Sequence, residues 1–142
     1  MTPQIGRRVA LDLGSVRIGL AATDAIGSVA TPRKVVSRSE VVGELRELLP
    51  IARLYVGLPR HLSGVEGEAA KLAREFALEL KNELSLATFL VDERLTTKSA
   101  SELRRANPAL AKVEIDALAA YELLEFALAG ERLQGGEFGE PV

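Results

Sequence analysis

Residues 9–22 read VALDLGSVRIGLAA, two apolar runs that meet at a short turn. The pattern predicts strands over Arg8–Leu13 and Arg17–Thr23, with Gly14 and Ser15 forming the turn of a hairpin. One acid, Asp12, lies among the aliphatic side chains of the first strand. A buried ionised carboxylate needs a cation or hydrogen-bond donors, because its desolvation is costly. Two explanations fit: Asp12 accepts the amide hydrogens of Gly14 or Ser15, or it binds a metal ion.

The rest of the chain predicts alternating strands and helices. Alternation and apolar runs predict strands over residues 28–36, 54–58 and 86–91, and helical spacing predicts helices over residues 40–49, 68–83, 97–107 and 113–133. The glycine-rich, acidic residues 135–142 are typical of a flexible tail. We therefore expect one α/β domain over residues 1–134, followed by that tail.

Composition excludes several classes of protein. The 142 residues are enough for one ordinary domain, and the absence of cysteine excludes disulfides and cysteine-based zinc sites. A net charge of −2 is not that of a strongly basic nucleic-acid binder. The N-terminal residues do not form a signal peptide, and no apolar run approaches about 18 residues. We expect a cytoplasmic protein that does not associate with membranes.

Further acids follow later in the chain. Asp92 and Glu93 end a buried strand, and because strand side chains alternate, at most one of them can share a site with Asp12. Asp116 opens the last helix, where the helix dipole alone would account for an acid. Two carboxylates about 4 Å apart repel by roughly 4 kcal/mol at an effective dielectric constant of about 20, so a cluster of them needs a cation. Oxygen ligands without cysteine favour Mg²⁺ or Mn²⁺.

Four blocks in this order resemble one family. DLGSVRIGLA at 12–21, VGLPRHLSGVEGEAA at 56–70, DERLTT at 92–97 and DALAA at 116–120 are similar to the YqgF/RuvX family of Holliday junction resolvases and pre-16S rRNA nucleases. The resemblance covers nearly the whole chain. It implies an RNase H-like fold, with a five-stranded mixed sheet whose first three strands are antiparallel and with helices on both faces.

The resemblance also implies an activity and its residues. The family's catalytic metal ligands match Asp12, Glu93 and Asp116, which would hold one or two Mg²⁺ or Mn²⁺ ions and leave Asp92 a structural role. The substrate would be branched DNA or structured RNA such as the 16S rRNA precursor. Resolution of a symmetric junction would need two active sites and hence a homodimer.

Residues around these acids are candidates for contacts with the nucleic acid. They are Arg17, Arg60, His61, Arg94, Thr96, Thr97 and Lys98, together with the loop glycines Gly14, Gly57, Gly64 and Gly67, where a nucleic-acid backbone could approach closely. Arg94 could instead pair with Asp92 or Glu66, and His61 could be an ordinary exposed loop residue.

Two positions depart from the family pattern. Val16 replaces a frequent lysine, and residues 108–112 hold a single basic residue. Two alternative functions remain: a non-catalytic module that binds RNA during ribosome assembly, and a fragment of an actin-like ATPase.

Overall fold

A mixed β-sheet forms the centre of the computed structural model, which describes residues 5–14, 16–96 and 100–142. Within these residues the sheet has six strands in the order β3-β2-β1-β4-β5-β6. The strands are β1 Arg7–Leu13, β2 Arg17–Thr23, β3 Ala30–Ser37, β4 Ile51–Leu58, β5 Thr88–Asp92 and β6 Glu140–Pro141. The helices are α1 Val41–Leu48, α2 Glu68–Leu84, α3 Ala100–Ala106 and α4 Ile115–Gln134.

Strand directions confirm the predicted mixed sheet. The first three strands are antiparallel, whereas β1 pairs in parallel with β4 and β4 pairs in parallel with β5. Parallel neighbours need a crossover connection. Helix α1 lies in the connection that leads into β4, and α2 lies in the connection between β4 and β5. The carboxyl ends of β1, β4 and β5 therefore lie at the same edge of the sheet.

The C-terminal residues differ from the predicted flexible tail, and they account for one strand more than the predicted five. Glu140–Pro141 pairs with β5, and the Val142 amide donates to the Thr88 carbonyl at 2.9 Å. Phe138 packs edge to face on Phe126 of α4, with ring centroids 5.5 Å apart. One aromatic side chain thus anchors a segment whose composition suggested disorder.

Two hydrophobic clusters lie on opposite faces of the sheet. Val9 and Leu11 of β1 face α1 and α2, whereas Ala10 faces α4, as the alternation of strand side chains requires. In α2, Ala69 is exposed and Leu72 is 46% exposed, so neither belongs to the face that packs on the sheet. Its buried residues are Ala70, Ala73, Phe76, Ala77 and Leu80.

The face that carries α4 is lined by small residues. Ala10 and Ala21 of the sheet and Ala120 and Ala127 of the helix are buried in the same cluster, which brings the helix axis close to the strands. No described helix has the length and hydropathy needed to cross a membrane.

Candidate active site

Asp12 lies in a row of residues that crosses the sheet on its α4 face. It pairs directly with Gly19 of β2. On its other side β4 contributes Gly57, whose partner in β5 is Val91. Glu93 follows β5 directly and, being two residues beyond Val91, lies on the same face. Asp12 therefore lies between two residues that have no side chain, Gly19 and Gly57, and the Glu93 side chain covers Gly57.

Asp12 and Glu93 are brought next to each other on this face. Burial of Glu93, together with the neighbouring Asp12 carboxyl group, raises the pKa of Glu93 well above its ordinary value. A hard divalent cation would stabilise both carboxylates in their charged form, because it favours carboxylate oxygens and removes the repulsion between them. This oxygen donor set fits Mg²⁺ or Mn²⁺.

Gly57 makes room for the Glu93 side chain. A Cβ at position 57 would lie 2.4 Å from Glu93 Oε1, far closer than van der Waals contact allows. Gly57 was a candidate for close approach of a nucleic-acid backbone; it lies in β4, within the strand predicted over residues 54–58, and its neighbour is the Glu93 carboxylate. The absence of a side chain at position 57 is what allows Glu93 to reach Asp12.

Gly19 makes room for α4 in the same way, a role that no motif had predicted. A Cβ at this position would lie 1.8 Å from the main-chain carbonyl oxygen of Asp116. The first turn of α4 therefore packs directly on the strand residue opposite Asp12. A glycine inside an otherwise well-patterned strand was the signal available, since such glycines mark close approaches of backbone.

Asp116 comes to the same end of the sheet, but it does not complete a cluster of carboxylates. Its main chain packs on Gly19, and its side chain is half-buried. Among the residues that the structure describes, no three His, Cys, Asp or Glu side chains stand close enough together to hold a metal ion. The structure thus assembles two of the three predicted ligands and brings the backbone of the third beside them.

Asp92 lies on the opposite face of the strand end and pairs with arginines. Arg94 Nη2 is 2.7 Å and Arg60 Nη1 is 3.2 Å from Asp92 Oδ2. The hydrogen bonds from Arg94, and then the charge of Arg60, lower the pKa of Asp92 against its partial burial. The alternative of an internal salt bridge for Arg94 is therefore observed, with Asp92 as the partner.

The loop between β4 and α2 is closed by its own backbone. The His61 amide donates to the Val65 carbonyl at 3.0 Å, and the Gly64 amide donates to the His61 carbonyl at 2.8 Å. Gly64 has φ of +93°, which favours glycine, and a Cβ at Gly67 would lie 2.9 Å from His61 Nε2. His61 is exposed at the surface of this loop.

The candidate phosphate-binding arginines already have acidic partners. Arg17 Nη1 is 3.3 Å from Glu114 Oε2, and Arg60 pairs with Glu66 at 3.1 Å in addition to its pair with the acid that ends β5. A phosphate group must therefore compete with these carboxylates.

The remaining candidates have structural roles or lie outside the described residues. Thr96 Oγ1 donates to the Glu93 carbonyl at 2.8 Å and so closes the turn that carries this acid. The Gly14 amide donates to the Arg17 carbonyl at 2.8 Å and closes the β1–β2 hairpin. Thr97 and Lys98 lie outside the described residues.

Comparison with known proteins identifies relatives along almost the whole chain. The RuvX family, described as Holliday junction resolvase, matches residues 6–130. A protein of Streptomyces coelicolor named "Putative pre-16S rRNA nuclease" is 41% identical over 96% of this chain and 88% of its own length. A protein of Rhodococcus erythropolis with the same name is 39% identical over 87% of this chain and 77% of its own length.

Solved structures show a similar fold at low sequence identity. RuvC of Thermus thermophilus in complex with a Holliday junction substrate superposes with a TM-score of 0.61 at 13% identity, covering 96% of this chain and 99% of that one. A further RuvC structure from the same species gives a TM-score of 0.55 at 16% identity over the same coverage. The RuvC fold is RNase H-like, as expected for this sheet.

Proposed function

This chain belongs to the RuvX Holliday junction resolvase family, and on that premise we propose that it is a metal-dependent nuclease. It hydrolyses phosphodiester bonds of structured nucleic acid, either branched DNA such as a Holliday junction or structured RNA such as the 16S rRNA precursor. The observation that carries this proposal is the proximity of Asp12 in β1 to Glu93, the residue that follows β5: two half-buried acids that share one face of the sheet.

Asp12, Glu93 and Asp116 are the proposed catalytic ligands for one or two Mg²⁺ or Mn²⁺ ions. When bound, such ions supply Lewis-acid activation of a water and of the scissile phosphate. Asp12 is held by pairing of β1 on both sides, and Glu93 is held by the turn that Thr96 closes. The adjacent start of α4 on Gly19 keeps Asp116 within reach of this end of the sheet. These supports fix Asp12 and Glu93, both half-buried, at rigid positions on the sheet.

The basic residues around the acids would position the phosphate backbone. Arg17, Arg60, His61, Arg94 and Thr96 stand near the carboxyl ends of the strands, and we extend the same role to Thr97 and Lys98. Because the three arginines are paired with acids, phosphate binding exchanges one ion pair for another. Nucleic-acid binding should still weaken as salt concentration rises, because each phosphate contact releases counterions from the nucleic acid.

A cleavage assay with Mn²⁺ tests the function and separates the two substrate classes. The substrates are a four-way DNA junction, a DNA duplex and a structured RNA, and the variants are Asp12→Asn and Glu93→Gln. We expect each variant to lose more than about 100-fold in rate, since even the hydrogen-bond partners of metal ligands are worth about 10- to 100-fold. Glu75→Gln, on the exposed face of α2, is the matched control and should cleave normally.

Three other outcomes would contradict the proposal. Full activity in Asp12→Asn would show that the acid pair is not the catalytic site. Tight RNA binding without cleavage in the wild type would favour the non-catalytic ribosome-assembly module. Binding of ATP by calorimetry, without cleavage of any nucleic acid, would favour the actin-like ATPase.

Two further properties belong to the same proposal. We place the protein in the cytoplasm, where bacterial rRNA precursors and chromosomal DNA are found. Symmetric cleavage of a four-way junction needs two active sites, so we propose that the protein acts on junctions as a homodimer. Analytical ultracentrifugation with and without a junction measures this directly, and a monomer on the cleaved junction would refute it.

A further inference from the structure

A buried ionic cluster lies at the end of the sheet opposite to Asp12. Arg8 at the start of β1 and Arg53 near the start of β4 are 4% and 6% exposed, and both pair with Glu131 of α4. The distances to Glu131 Oε1 are 3.0 Å from Arg8 Nη2 and 3.1 Å from Arg53 Nη1. Two guanidinium groups thus share one carboxylate, and the cluster carries a net positive charge.

The Glu131 carboxylate also accepts a hydrogen bond from a tyrosine. The Tyr55 hydroxyl donates to Glu131 Oε2, and burial together with this carboxylate raises the pKa of Tyr55, so that the hydroxyl stays protonated. Arg8 gains one neutral partner, the Gly6 carbonyl at 2.6 Å from Nη1. A buried charge without full compensation is costly, and a bound anion would supply the missing negative charge.

A pocket of about 440 Å³ opens beside this cluster. Arg8, Arg53 and Glu131 line it, and Arg132 lines it from the exposed side. Three arginines and one glutamate give the wall two positive charges in excess. The volume lies within the range of small-molecule sites, about 300–1,000 Å³.

The same pocket has an apolar side. Ile5, Ile26 and Leu128 line it, and the two isoleucines are 74% and 63% exposed. Exposed aliphatic side chains beside a buried cationic group suit a ligand with an anionic end and an apolar or aromatic body.

We propose that this pocket binds a small organic phosphate, a phosphomonoester attached to an apolar or aromatic group. A phosphomonoester carries a charge of about −1.5 to −2 at pH 7, which matches the excess charge of the wall. Arginine is the side chain best suited to bind phosphate through paired hydrogen bonds. A free nucleoside monophosphate and the phosphorylated end of an oligonucleotide share this chemistry.

The test measures ligand binding by calorimetry in buffer with EDTA, so that no divalent ion recruits phosphate to the proposed active site. The probes are inorganic phosphate, adenosine, AMP, and a dinucleotide with and without a 5′-phosphate. Two variants address the pocket. Arg132→Gln removes one charge at its exposed side, and Gly136→Phe fills its space, since a Cβ at this lining position meets no atom within 4 Å. Arg105→Gln, at an exposed residue of α3, is the charge-matched control.

We expect AMP to bind with one-to-one stoichiometry and more tightly than either adenosine or inorganic phosphate. Arg132→Gln should weaken AMP binding about three-fold, as expected for one partly exposed ion pair, and Gly136→Phe should abolish it. Arg105→Gln should bind as the wild type does. If the 5′-phosphorylated dinucleotide binds as AMP does, the ligand includes nucleic-acid ends, and if AMP alone binds, it is a free nucleotide.

Failure of this proposal is separate from failure of the proposed nuclease function. Asp12→Asn should bind AMP normally, because the acid lies at the other end of the sheet. Loss of AMP binding in Asp12→Asn would assign the ligand to the active site and overturn the proposal. Equal binding of AMP by wild type and Gly136→Phe, or no binding of any phosphorylated probe, would overturn it as well.

Discussion

Replacement of Gly57 by alanine should separate the stability of the sheet from the function of its acid pair. The new Cβ would lie 2.4 Å from Oε1, 3.1 Å from Cδ and 3.2 Å from Cγ of Glu93. Ordinary contact begins near 3.4 Å, so the carboxylate must retreat by about 1 Å. Because a side chain rather than backbone must move, Glu93 can swing away from Asp12 without disturbing the strands.

The expected effect is large on function and small on folding. A misplacement of about 1 Å at a reacting centre costs about 100-fold in rate, and we expect that loss in Mn²⁺-dependent cleavage. The free energy of unfolding in EDTA should stay within about 1 kcal/mol of the wild type, since alanine suits a strand better than glycine does. The rise in melting temperature on addition of Mn²⁺ should be reduced together with the rate.

Gly43→Ala provides the matched control for this substitution. Gly43 lies in α1, and a Cβ there meets no atom within 4 Å. This variant should gain about 0.5–1 kcal/mol of stability from helix propensity and should cleave and bind Mn²⁺ as the wild type does. Wild-type cleavage and Mn²⁺ binding in Gly57→Ala would refute the reasoning that Glu93 needs the space above β4.

Three further substitutions test other parts of the structure. Gly19→Ala sets a Cβ 1.8 Å from the Asp116 carbonyl oxygen. Because backbone must move, urea denaturation should show a loss of about 2–3 kcal/mol in the free energy of unfolding. An unchanged midpoint would refute the close packing of α4. Glu131→Gln leaves two buried arginines without a carboxylate and should cost about 3 kcal/mol in the same assay, whereas a loss below 1 kcal/mol would show that the cluster is well solvated. Hydrogen bonds from Arg74, and then from Arg60, lower the pKa of Glu66 from 4.5 to about 2. The ion pairs of Glu66 therefore stabilise the fold above pH 4.5, and this contribution is lost as the pH falls toward 2. The stability difference between wild type and Glu66→Gln should therefore shrink over that interval in acid-unfolding curves, and a difference that does not depend on pH would contradict the assignment.

Local sequence patterns predicted the elements around the acids well. The run that contains Asp12 was expected as a hairpin, and both of its strands lie within a residue of their predicted bounds. Such patterns suffice because β1 and β2 are neighbours in sequence and are joined by a tight turn. Four short sequence blocks predicted the family and a mixed, RNase H-like sheet, and both predictions are confirmed.

The pairing of acids could be predicted only in part. Strand alternation required Asp92 and Glu93 to face opposite sides, yet it could not say which one faces Asp12. That choice depends on the register between β4 and β5, which aligns Gly57 with Val91 and so directs Glu93 toward the α4 face.

Features that arise from long-range packing were missed. Gly19 and Gly57 matter because of what packs over them, Asp116 in one case and Glu93 in the other. No local pattern predicted that the fold brings the charged residues Arg8, Arg53 and Glu131 together in a buried cluster. These residues are buried because the fold places the amino ends of β1 and β4 beside the end of α4, and this arrangement depends on long-range packing.

The row from Gly19 to Glu93 also has a consequence for the order of folding events. Asp12 and Glu93 are far apart in sequence, and they meet only after β4 has entered between their strands. Long-range parallel pairing of this kind is slow relative to hairpin formation. A partly folded chain that contains only the β1–β3 meander therefore has no acid pair, so nuclease activity should recover in refolding experiments only with the last phase of sheet assembly, and nascent chains should be unable to cut nucleic acid while they fold.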